Sequence, residues 1–230
     1  MQNEYDFFSE KVHDCNFSEY ESALGVRPSE LKNQKILNIG GGCSPIVWDI
    51  QRNYGLKNFH ITNVEPFMGD ESLGRNQHKL IQESFLDCDF QKEFNKVWAL
   101  WSLPYYAKTP GDIVLTFTKS ILALQDSGEF RIGPADIVIR EDSFTSDYRL
   151  RLEVLSKFVA FFNNEFPRNK IETIDASSQR RKFSSYYTKA NYYYFRAPDD
   201  KTDVDYWCRT MNEHSIHNFK SFYDRNLRFL

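Results

Sequence analysis

The sequence of 230 residues lacks the long apolar runs and the one-sided charge that mark several classes of protein. Its uninterrupted apolar runs are only a few residues long, whereas about 20 residues are needed to cross a bilayer, so we expect no membrane helix. The N-terminus carries acids and has no basic segment followed by an apolar one, so we expect no signal peptide. A net charge of −3 provides no general attraction for nucleic acid.

Paired cysteines and metal-binding histidine motifs are also absent. The four cysteines are scattered without a CxxC pair, at Cys15, Cys43, Cys88 and Cys208. This spacing argues against a zinc cluster or a disulfide scaffold and is typical of reduced thiols, so a cytoplasmic protein is expected. His214 and His217 are three residues apart but lack the HExxH form, which indicates surface histidines. We therefore predict no metal site.

Aromatic residues, by contrast, are abundant: 20 Phe, 13 Tyr and 4 Trp. So many rings require either a thick core or a stacking surface. The charges are unevenly distributed, because residues 1–34 carry a net −4 and residues 168–196 a net +5. The second segment interleaves basic residues with rings, a composition that can bind phosphates and stack bases.

The clearest local signal is an apolar run that ends in three glycines. Lys35–Ile39 predicts a buried strand, and Gly40, Gly41 and Gly42 predict a tight turn after it. Ser44 and Pro45 then suit the start of a helix, Ser as a cap and Pro at the first helical position.

The rest of the chain alternates strand and helix patterns. Further strands are predicted within 58–64, 79–85, 96–100, 129–132, 170–174 and 191–195, and helices within 5–12, 18–24, 44–55, 109–128, 147–166 and 203–228. This alternation predicts a mostly parallel sheet with helices on both faces. The last two strands have no helix between them, which predicts an antiparallel hairpin at the sheet edge. We divide the chain into an acidic helical leader (1–34), a main domain (35–200) and a helical extension packed on that domain (201–230).

A strand, glycines and a helix start together favour a nucleotide site. Gly40 and Gly42 allow a ligand to approach the backbone, and the helix start offers free N–H groups. Glu65 follows Gly40 by 25 residues, at the tip of the next predicted strand, where a carboxylate can accept from ribose hydroxyls. Pro45 occupies the third glycine position of a dinucleotide fingerprint, which disfavours a nicotinamide or flavin site.

From about Lys35 to Pro134, the chain resembles class I S-adenosylmethionine-dependent methyltransferases. Five segments carry the resemblance in the family's order: Ile36–Gly42, Val64–Pro66, Gln82–Phe85, Phe94–Tyr106 and Glu129–Pro134. The resemblance implies a Rossmann-like, doubly wound α/β fold. Its mostly parallel seven-stranded sheet ends in an antiparallel C-terminal hairpin, within three α/β/α layers.

The resemblance also implies a cofactor, S-adenosyl-L-methionine, and the residues that bind it. The implied cofactor residues are Asn38, Gly40, Gly41, Gly42, Glu65, Pro66, Ser84, Phe85 and Trp101. The implied acceptor residues are Ser102, Pro104, Tyr105 and Tyr106, with Ser102 and Tyr105 as candidates for catalysis. The aromatic loop favours a planar or apolar acceptor, methylated on nitrogen or oxygen. No general base is identified, and the sequence indicates neither the acceptor's identity nor the oligomeric state.

Three positions depart from the family pattern. Asn38 stands where an acid is usual, Ser44 where a third glycine is common, and Asn95 where Asp often opens the fourth strand. An amide can still donate and accept hydrogen bonds, but it carries no charge. These departures leave open an alternative: an inactive methyltransferase-like protein that binds RNA or a protein through the 168–196 surface. The same segment also fits a loop followed by an aromatic edge strand.

The loop after the fourth strand separates further alternatives. Polyamine synthases, which share the triple glycine, place aspartates there, but Trp101–Tyr106 has no carboxylate. In the motif of amino-methyltransferases, Ser102, Pro104 and Tyr105 match and Leu103 does not. The other interpretation is that Pro104 and Tyr105 only shape the pocket.

Overall fold

Seven strands form one sheet between two layers of helices in a computed structural model, which describes residues 16–41, 46–66, 78–100, 102, 109–139, 146–175 and 187–212. The strands are β1 (Lys35–Ile39), β2 (His60–Val64), β3 (Lys79–Ile81), β4 (Phe94–Leu100), β5 (Leu124–Ile139), β6 (Glu172–Asp175) and β7 (Tyr187–Arg196). The helices are α1 (Phe17–Leu24), α2 (Ile46–Tyr54), α3 (Pro110–Ala123), α4 (Ser146–Glu165) and α5 (202–212), with a 3₁₀ turn at Pro28–Glu30.

The order of strands across the sheet is β3-β2-β1-β4-β5-β7-β6. Strands β1 to β5 run parallel to one another, whereas β7 is antiparallel to both β5 and β6. This arrangement confirms the predicted mostly parallel sheet with an antiparallel C-terminal hairpin. Because β1 to β5 share a direction, their carboxyl ends meet at one edge of the sheet.

Helix α3 begins with a capping box formed by Thr109 and Asp112. The Thr109 side chain accepts a hydrogen bond from the backbone N–H of Asp112 at 3.2 Å, and the Asp112 carboxylate accepts from the N–H of Thr109 at 2.8 Å. Each side chain satisfies a backbone donor that has no partner inside the helix. The capping box fixes where the chain turns back from the carboxyl edge of the sheet.

Two predictions of element boundaries are wrong. Helix α3 ends at Ala123 and not at Gly128, because the backbone at Leu124 is already extended and pairs with Phe94 of β4. Strand β5 is therefore 16 residues long, and the predicted 129–132 is only its central part. Strand β7 is not an edge strand: it lies between β5 and β6, so both of its edges are paired.

The face of the sheet beneath α3, α4 and α5, here called the α3 face, is built from rings. Phe117 of α3 lies 5.3 Å from Phe130 of β5 and 5.3 Å from Phe158 of α4, measured between ring centroids. Phe162 of α4 stands edge-on to Phe195 of β7 at 5.5 Å. All five rings are fully buried. Much of the aromatic excess of the sequence is therefore core.

The opposite face, here called the α1 face, lies beneath α1 and α2. Phe17, Tyr20, Leu24 and Leu31 are almost completely buried and pack in one cluster with residues of β1, β2 and β4. Residues 17–31 thus share a core with the sheet. No helix within the described part of the chain is long and apolar enough to span a membrane.

Candidate cofactor site

The predicted site residues that the structure describes gather at the carboxyl edge of the sheet. Gly40 and Gly41 follow β1, Glu65 and Pro66 follow β2, and Ser102 lies two residues beyond β4. Ligands of open α/β sheets bind at this edge, outside the carboxyl ends of the strands. The fold therefore brings these positions together, although they are far apart in sequence.

The turn after β1 has a backbone that glycine favours. Gly40 has φ +66°, in the left-handed region, and its N–H donates to the Val64 carbonyl at 2.8 Å. At Gly41, a Cβ atom would lie 2.2 Å from the amide nitrogen of Asn38 and 3.0 Å from the side-chain oxygen of Asn63. Any larger residue at position 41 would displace the Asn38 side chain, so the turn rests directly on it.

Asn38 belongs to a neutral network beneath that turn. Its Nδ2 donates to Asn63 Oδ1 at 2.8 Å and to the Tyr20 hydroxyl at 3.0 Å, while Tyr20 OH lies 3.1 Å from Asn38 Oδ1. Asn38 and Asn63 are register partners on β1 and β2, and both are fully buried. The amide that replaces the usual acid thus has hydrogen-bond partners within the protein. Its role toward a cofactor stays a prediction.

Glu65 lies between the glycine turn and β3. It is 2% exposed, and its backbone N–H donates to the Ile81 carbonyl at 3.0 Å. This contact fixes the chain at the tip of β2, one residue beyond the strand. The position suits a carboxylate that accepts from hydroxyls of a ligand lying across β1 and β2.

The predicted adenine-flanking residues lie in a turn after β3. Ser84 is half-buried, and its hydroxyl accepts from the N–H of Leu86 at 3.3 Å. Phe85 is 6% exposed and stacks on Phe90 with centroids 6.4 Å apart, within the core of the α3 face. The Phe85 ring therefore serves the core, and contact with adenine stays a prediction for both residues.

Ser102 is the described part of the predicted acceptor loop. It is 2% exposed, and its hydroxyl has no hydrogen-bond partner among the described residues. A buried hydroxyl without a partner is unfavourable unless another polar group reaches it. The other predicted residues lie outside the described part of the chain: Gly42, Trp101, Pro104, Tyr105 and Tyr106.

The network under the turn continues as a polar row across the α1 face. Register partners on five neighbouring strands form this row: Asn63, Asn38, Trp98, Arg131 and Tyr194. The ring centroids of Trp98 and Tyr20 lie 5.8 Å apart. The residues of this row are aligned across successive strands and lie on the α1 face. Apolar residues are usual in such a position beneath a helix.

Arg131 ties the end of α1 to this row. Its guanidinium donates to the Gly25 carbonyl at 2.6 Å and pairs with Glu30 at 2.8 Å and Glu129 at 2.9 Å. Burial alone would raise the pKa of the Glu129 carboxyl, but Arg131 and Lys96 outweigh burial and hold that pKa below its usual value. The segment from α1 to the 3₁₀ turn is therefore fixed by charge as well as by apolar contact.

A groove of about 300 Å³ lies at the opposite edge of the sheet. Its lining includes Gln34, Asn95, Ser127 and Gly128, at the amino ends of β1 and β4 and within β5. The two Asn95 amide atoms already have partners, since Oδ1 accepts from the Lys35 N–H and Nδ2 donates to Gln125. The groove is thus distinct from the carboxyl edge where the predicted residues meet.

Comparison with solved structures identifies the fold. The chain is similar to the plantazolicin methyltransferase BpumL, solved with S-adenosylhomocysteine and a substrate analogue: 8% identity, 84% of this chain, 88% of that one, TM-score 0.53. It is also similar to the 1,6-didemethyltoxoflavin N1-methyltransferase of Burkholderia thailandensis, at 12% identity over 85% and 87% of the two chains, TM-score 0.50.

The chain has the class I methyltransferase fold. A methyltransferase of Haloferax volcanii, in complex with the Trm112 activator, matches at 11% identity over 86% of this chain and 99% of that one, TM-score 0.50. No protein-family model and no curated protein matches the sequence. The similarity to these solved structures is thus one of fold, at 8–12% sequence identity.

Within this methyltransferase fold, the described residues suit a nucleoside cofactor. Gly40 and Gly41 present backbone at the edge, Glu65 supplies a buried carboxylate at the tip of β2, and Ser102 supplies a buried hydroxyl without a described partner. No three His, Cys, Asp or Glu side chains of the described residues cluster as a metal site would require.

Three rings of the segment proposed for the alternative RNA-binding or protein-binding surface are buried. Tyr192 and Tyr193 are each 5% exposed and Phe195 is fully buried, because Tyr193 and Phe195 pack in the core of the α3 face and Tyr192 in that of the α1 face. The basic residues at 180–182 lie outside the described residues. The rings of β7 therefore act as core residues.

Sequence reasoning missed Tyr20 and Asn63. Both have a signal in hindsight: Asn63 interrupts an apolar strand, and Tyr20 lies on the same helical face as Phe17 and Leu24. Neither signal shows that the two residues meet at Asn38. That meeting requires the parallel pairing of β1 with β2 and the placement of α1 over it.

Proposed function

We propose that this chain is an S-adenosylmethionine-dependent methyltransferase. The observation that carries the proposal is the convergence of the glycine turn, Glu65 and Ser102 at the carboxyl edge of a sheet with this strand order. Two proteins of the same fold were solved with S-adenosylhomocysteine bound. The proposal extends that cofactor to this chain.

Each group of residues has a role in the proposal. Gly40, Gly41 and Gly42 let the cofactor approach the backbone, with Asn38 beneath them. Glu65 accepts hydrogen bonds from the ribose, next to Pro66. Ser84 and Phe85 flank the adenine, and Trp101 is the last of the residues that bind the cofactor.

The acceptor is positioned by the loop after β4. Ser102, Pro104, Tyr105 and Tyr106 form one wall of its pocket, and the rings favour a planar or apolar acceptor with a nitrogen or oxygen nucleophile. The chemistry that the cofactor supplies when bound is a methyl group activated by a sulfonium. Aligning the nucleophile with that group is then the main task of the chain's own residues. Ser102 and Tyr105 are the candidates for contact with the nucleophile.

The proposal is tested by calorimetric titration with S-adenosylhomocysteine. Wild-type protein should bind, and Glu65→Gln, which keeps the shape and removes the charge, should weaken binding by about 1.5–3 kcal/mol, the scale for a hydrogen bond to a charged group. Circular dichroism and thermal unfolding establish that the variant is folded.

Glu93→Gln is the matched control. Glu93 is exposed and lies just before β4, at the opposite edge of the sheet, so the same change there should leave binding unaltered. Absence of binding by wild-type protein would refute the proposed function. Equal affinities of wild type and Glu65→Gln would refute the role of Glu65.

A further inference from the structure

We propose that Tyr20 of α1 is a positioning residue for the cofactor turn, which it holds in place through Asn38. The inference rests on the proposed function, because the turn is a binding element only if a cofactor binds there. It adds a residue outside the family-like segments and assigns the N-terminal helix a role in binding. Tyr20 itself need not touch the cofactor.

The first step is the steric dependence of the turn on Asn38. Position 41 lacks room for even one Cβ atom, since that atom would lie 2.2 Å from Asn38 Nδ2. Real Cβ atoms do not approach another atom so closely. The backbone of the turn and the Asn38 amide are therefore in direct contact, and a shift of the amide shifts the turn.

The second step is the control of the Asn38 orientation. Tyr20 OH lies 3.1 Å from Asn38 Oδ1 and 3.0 Å from Nδ2, and Asn63 Oδ1 accepts from Nδ2 at 2.8 Å. The two partners approach the amide from α1 and from β2. Because all three side chains are neutral and almost fully buried, an Asn38 side chain turned away from these two partners would leave polar atoms unpaired, which is costly.

The third step is the rigidity of Tyr20 itself. Its ring is 1% exposed and packs against Trp98 at 5.8 Å. The end of α1 is anchored separately, by the Arg131 guanidinium on the Gly25 carbonyl at 2.6 Å. The hydroxyl is thus held at a fixed height above the sheet and can act as a rigid support.

The chain offers a closely matched control for this hydroxyl. Tyr54 of α2 also bonds to α1, since its OH donates to the Glu21 carboxylate at 2.7 Å, and its side chain is 41% exposed. Tyr20→Phe removes a hydroxyl that α1 itself carries. Tyr54→Phe removes a hydroxyl of α2 that bonds to α1. Only Tyr20→Phe removes a partner of the amide under the turn.

The binding experiment titrates these variants with S-adenosylhomocysteine at a temperature where all are folded. Tyr20→Phe should raise the dissociation constant about tenfold, the scale of one buried hydrogen bond, and Tyr54→Phe should leave it unchanged. In an Asn38→Ala background, Tyr20→Phe should have no further effect, because it acts through Asn38. Equal effects of the two hydroxyl deletions, or additive effects of Tyr20→Phe and Asn38→Ala, would overturn the proposal.

A second readout uses no ligand and so separates this proposal from the proposed function. Hydrogen exchange of the Gly40 amide, which donates to the Val64 carbonyl, should accelerate about tenfold in Tyr20→Phe and stay unchanged in Tyr54→Phe. If wild-type protein fails to bind S-adenosylhomocysteine, the proposed function is wrong and the exchange rates alone decide whether Tyr20 supports the turn. Unchanged exchange in Tyr20→Phe would overturn the proposal.

A double-mutant cycle tests the steric step. The backbone of Gly41 does not itself demand glycine, so Gly41→Ala should lower the urea midpoint mainly by displacing Asn38. Asn38→Ala removes Asn38 Nδ2, the atom that a Cβ at position 41 would meet at 2.2 Å. Asn63 Oδ1, at 3.0 Å, must still shift by a few tenths of an ångström. Gly41→Ala should therefore shift the midpoint less in the Asn38→Ala background than in wild type. An equal shift in both backgrounds would contradict the contact.

Discussion

The two faces of the sheet make different kinds of contact with the helices that cover them. On the α3 face, rings from α3, α4, β5 and β7 interlock in a fully buried cluster. On the α1 face, a row of polar side chains crosses five strands and is joined to residues 17–31 by hydrogen bonds and an ion pair. Apolar contact is tolerant of small shifts, whereas hydrogen bonds fix orientation. Both faces bury apolar clusters that stabilise the fold, and we expect the polar row of the α1 face also to position the turn.

The largest expected effect is on the α3 face. Phe117→Ala should lower the free energy of unfolding by about 3–5 kcal/mol, because it opens a cavity among Phe130, Phe158 and Tyr193. Urea denaturation measures the change, and Phe166→Ala, at a half-buried ring, should cost less. Among molecules still folded, affinity for S-adenosylhomocysteine should be unchanged. Weaker S-adenosylhomocysteine binding by folded Phe117→Ala would show that the α3 face also contributes to positioning the turn.

A substitution on the α1 face should lower stability less than Phe117→Ala does, but it should weaken S-adenosylhomocysteine binding more. Arg131→Met should lower the free energy of unfolding by about 3 kcal/mol, because it leaves Glu30 and the Gly25 carbonyl without this partner. It should also weaken S-adenosylhomocysteine binding, since the end of α1 is released.

The control for this change is another ion pair. Lys157 pairs with Glu153 on α4 at 2.6 Å and is partly exposed, so Lys157→Met should cost less than about 1 kcal/mol and leave binding unaltered. The division between the faces fails if Arg131→Met lowers stability without weakening binding.

The α3 face and the carboxyl edge could be predicted from sequence to different extents. Phe117 is spaced four residues from Ile113 and Ile121 on α3, and Phe158 and Phe162 are four residues apart on α4, so local periodicity predicts a buried apolar stripe on each helix. The glycine turn and Glu65 also carry local signals, and the structure puts both at the same edge. Element boundaries in 124–139 were missed because Gly128 resembles a helix stop, whereas pairing with β4 decides the conformation there.

The polar row could not be predicted, for a physical reason. Asn38, Asn63 and Arg131 each interrupt an apolar strand, but their alignment depends on strand order and register, which are properties of the whole sheet. The same holds for Tyr20, whose partner is 18 residues away on another element. A polar residue within a predicted buried strand indicates that a partner exists, and the fold decides which one.

The smallest expected effect concerns alkaline pH and the far end of the polar row. Burial raises the pKa of the Tyr194 hydroxyl, and the Glu129 carboxylate beside it adds to the shift, so that the pKa is about 12. Unfolded tyrosine ionises near pH 10, so the folded state binds this proton more tightly and its stability falls as the pH rises from about 10 to 12. The difference in unfolding free energy between wild type and Tyr194→Phe should therefore be constant below pH 10 and decline above it.

Tyr206 is the control for that measurement, since it is 72% exposed. If the difference in unfolding free energy between wild type and Tyr194→Phe stays constant through pH 12, burial and Glu129 do not raise the pKa of Tyr194.

The most direct test of the central claim is a titration of ¹⁵N-labelled protein with S-adenosylhomocysteine, followed residue by residue in amide spectra. The amides of Gly40, Gly41, Glu65 and Ser102 should shift with one common dissociation constant, while those of Asn95 and Gly128 in the groove at the opposite edge should not. Shifts confined to the groove, or no shifts at millimolar ligand, would contradict it.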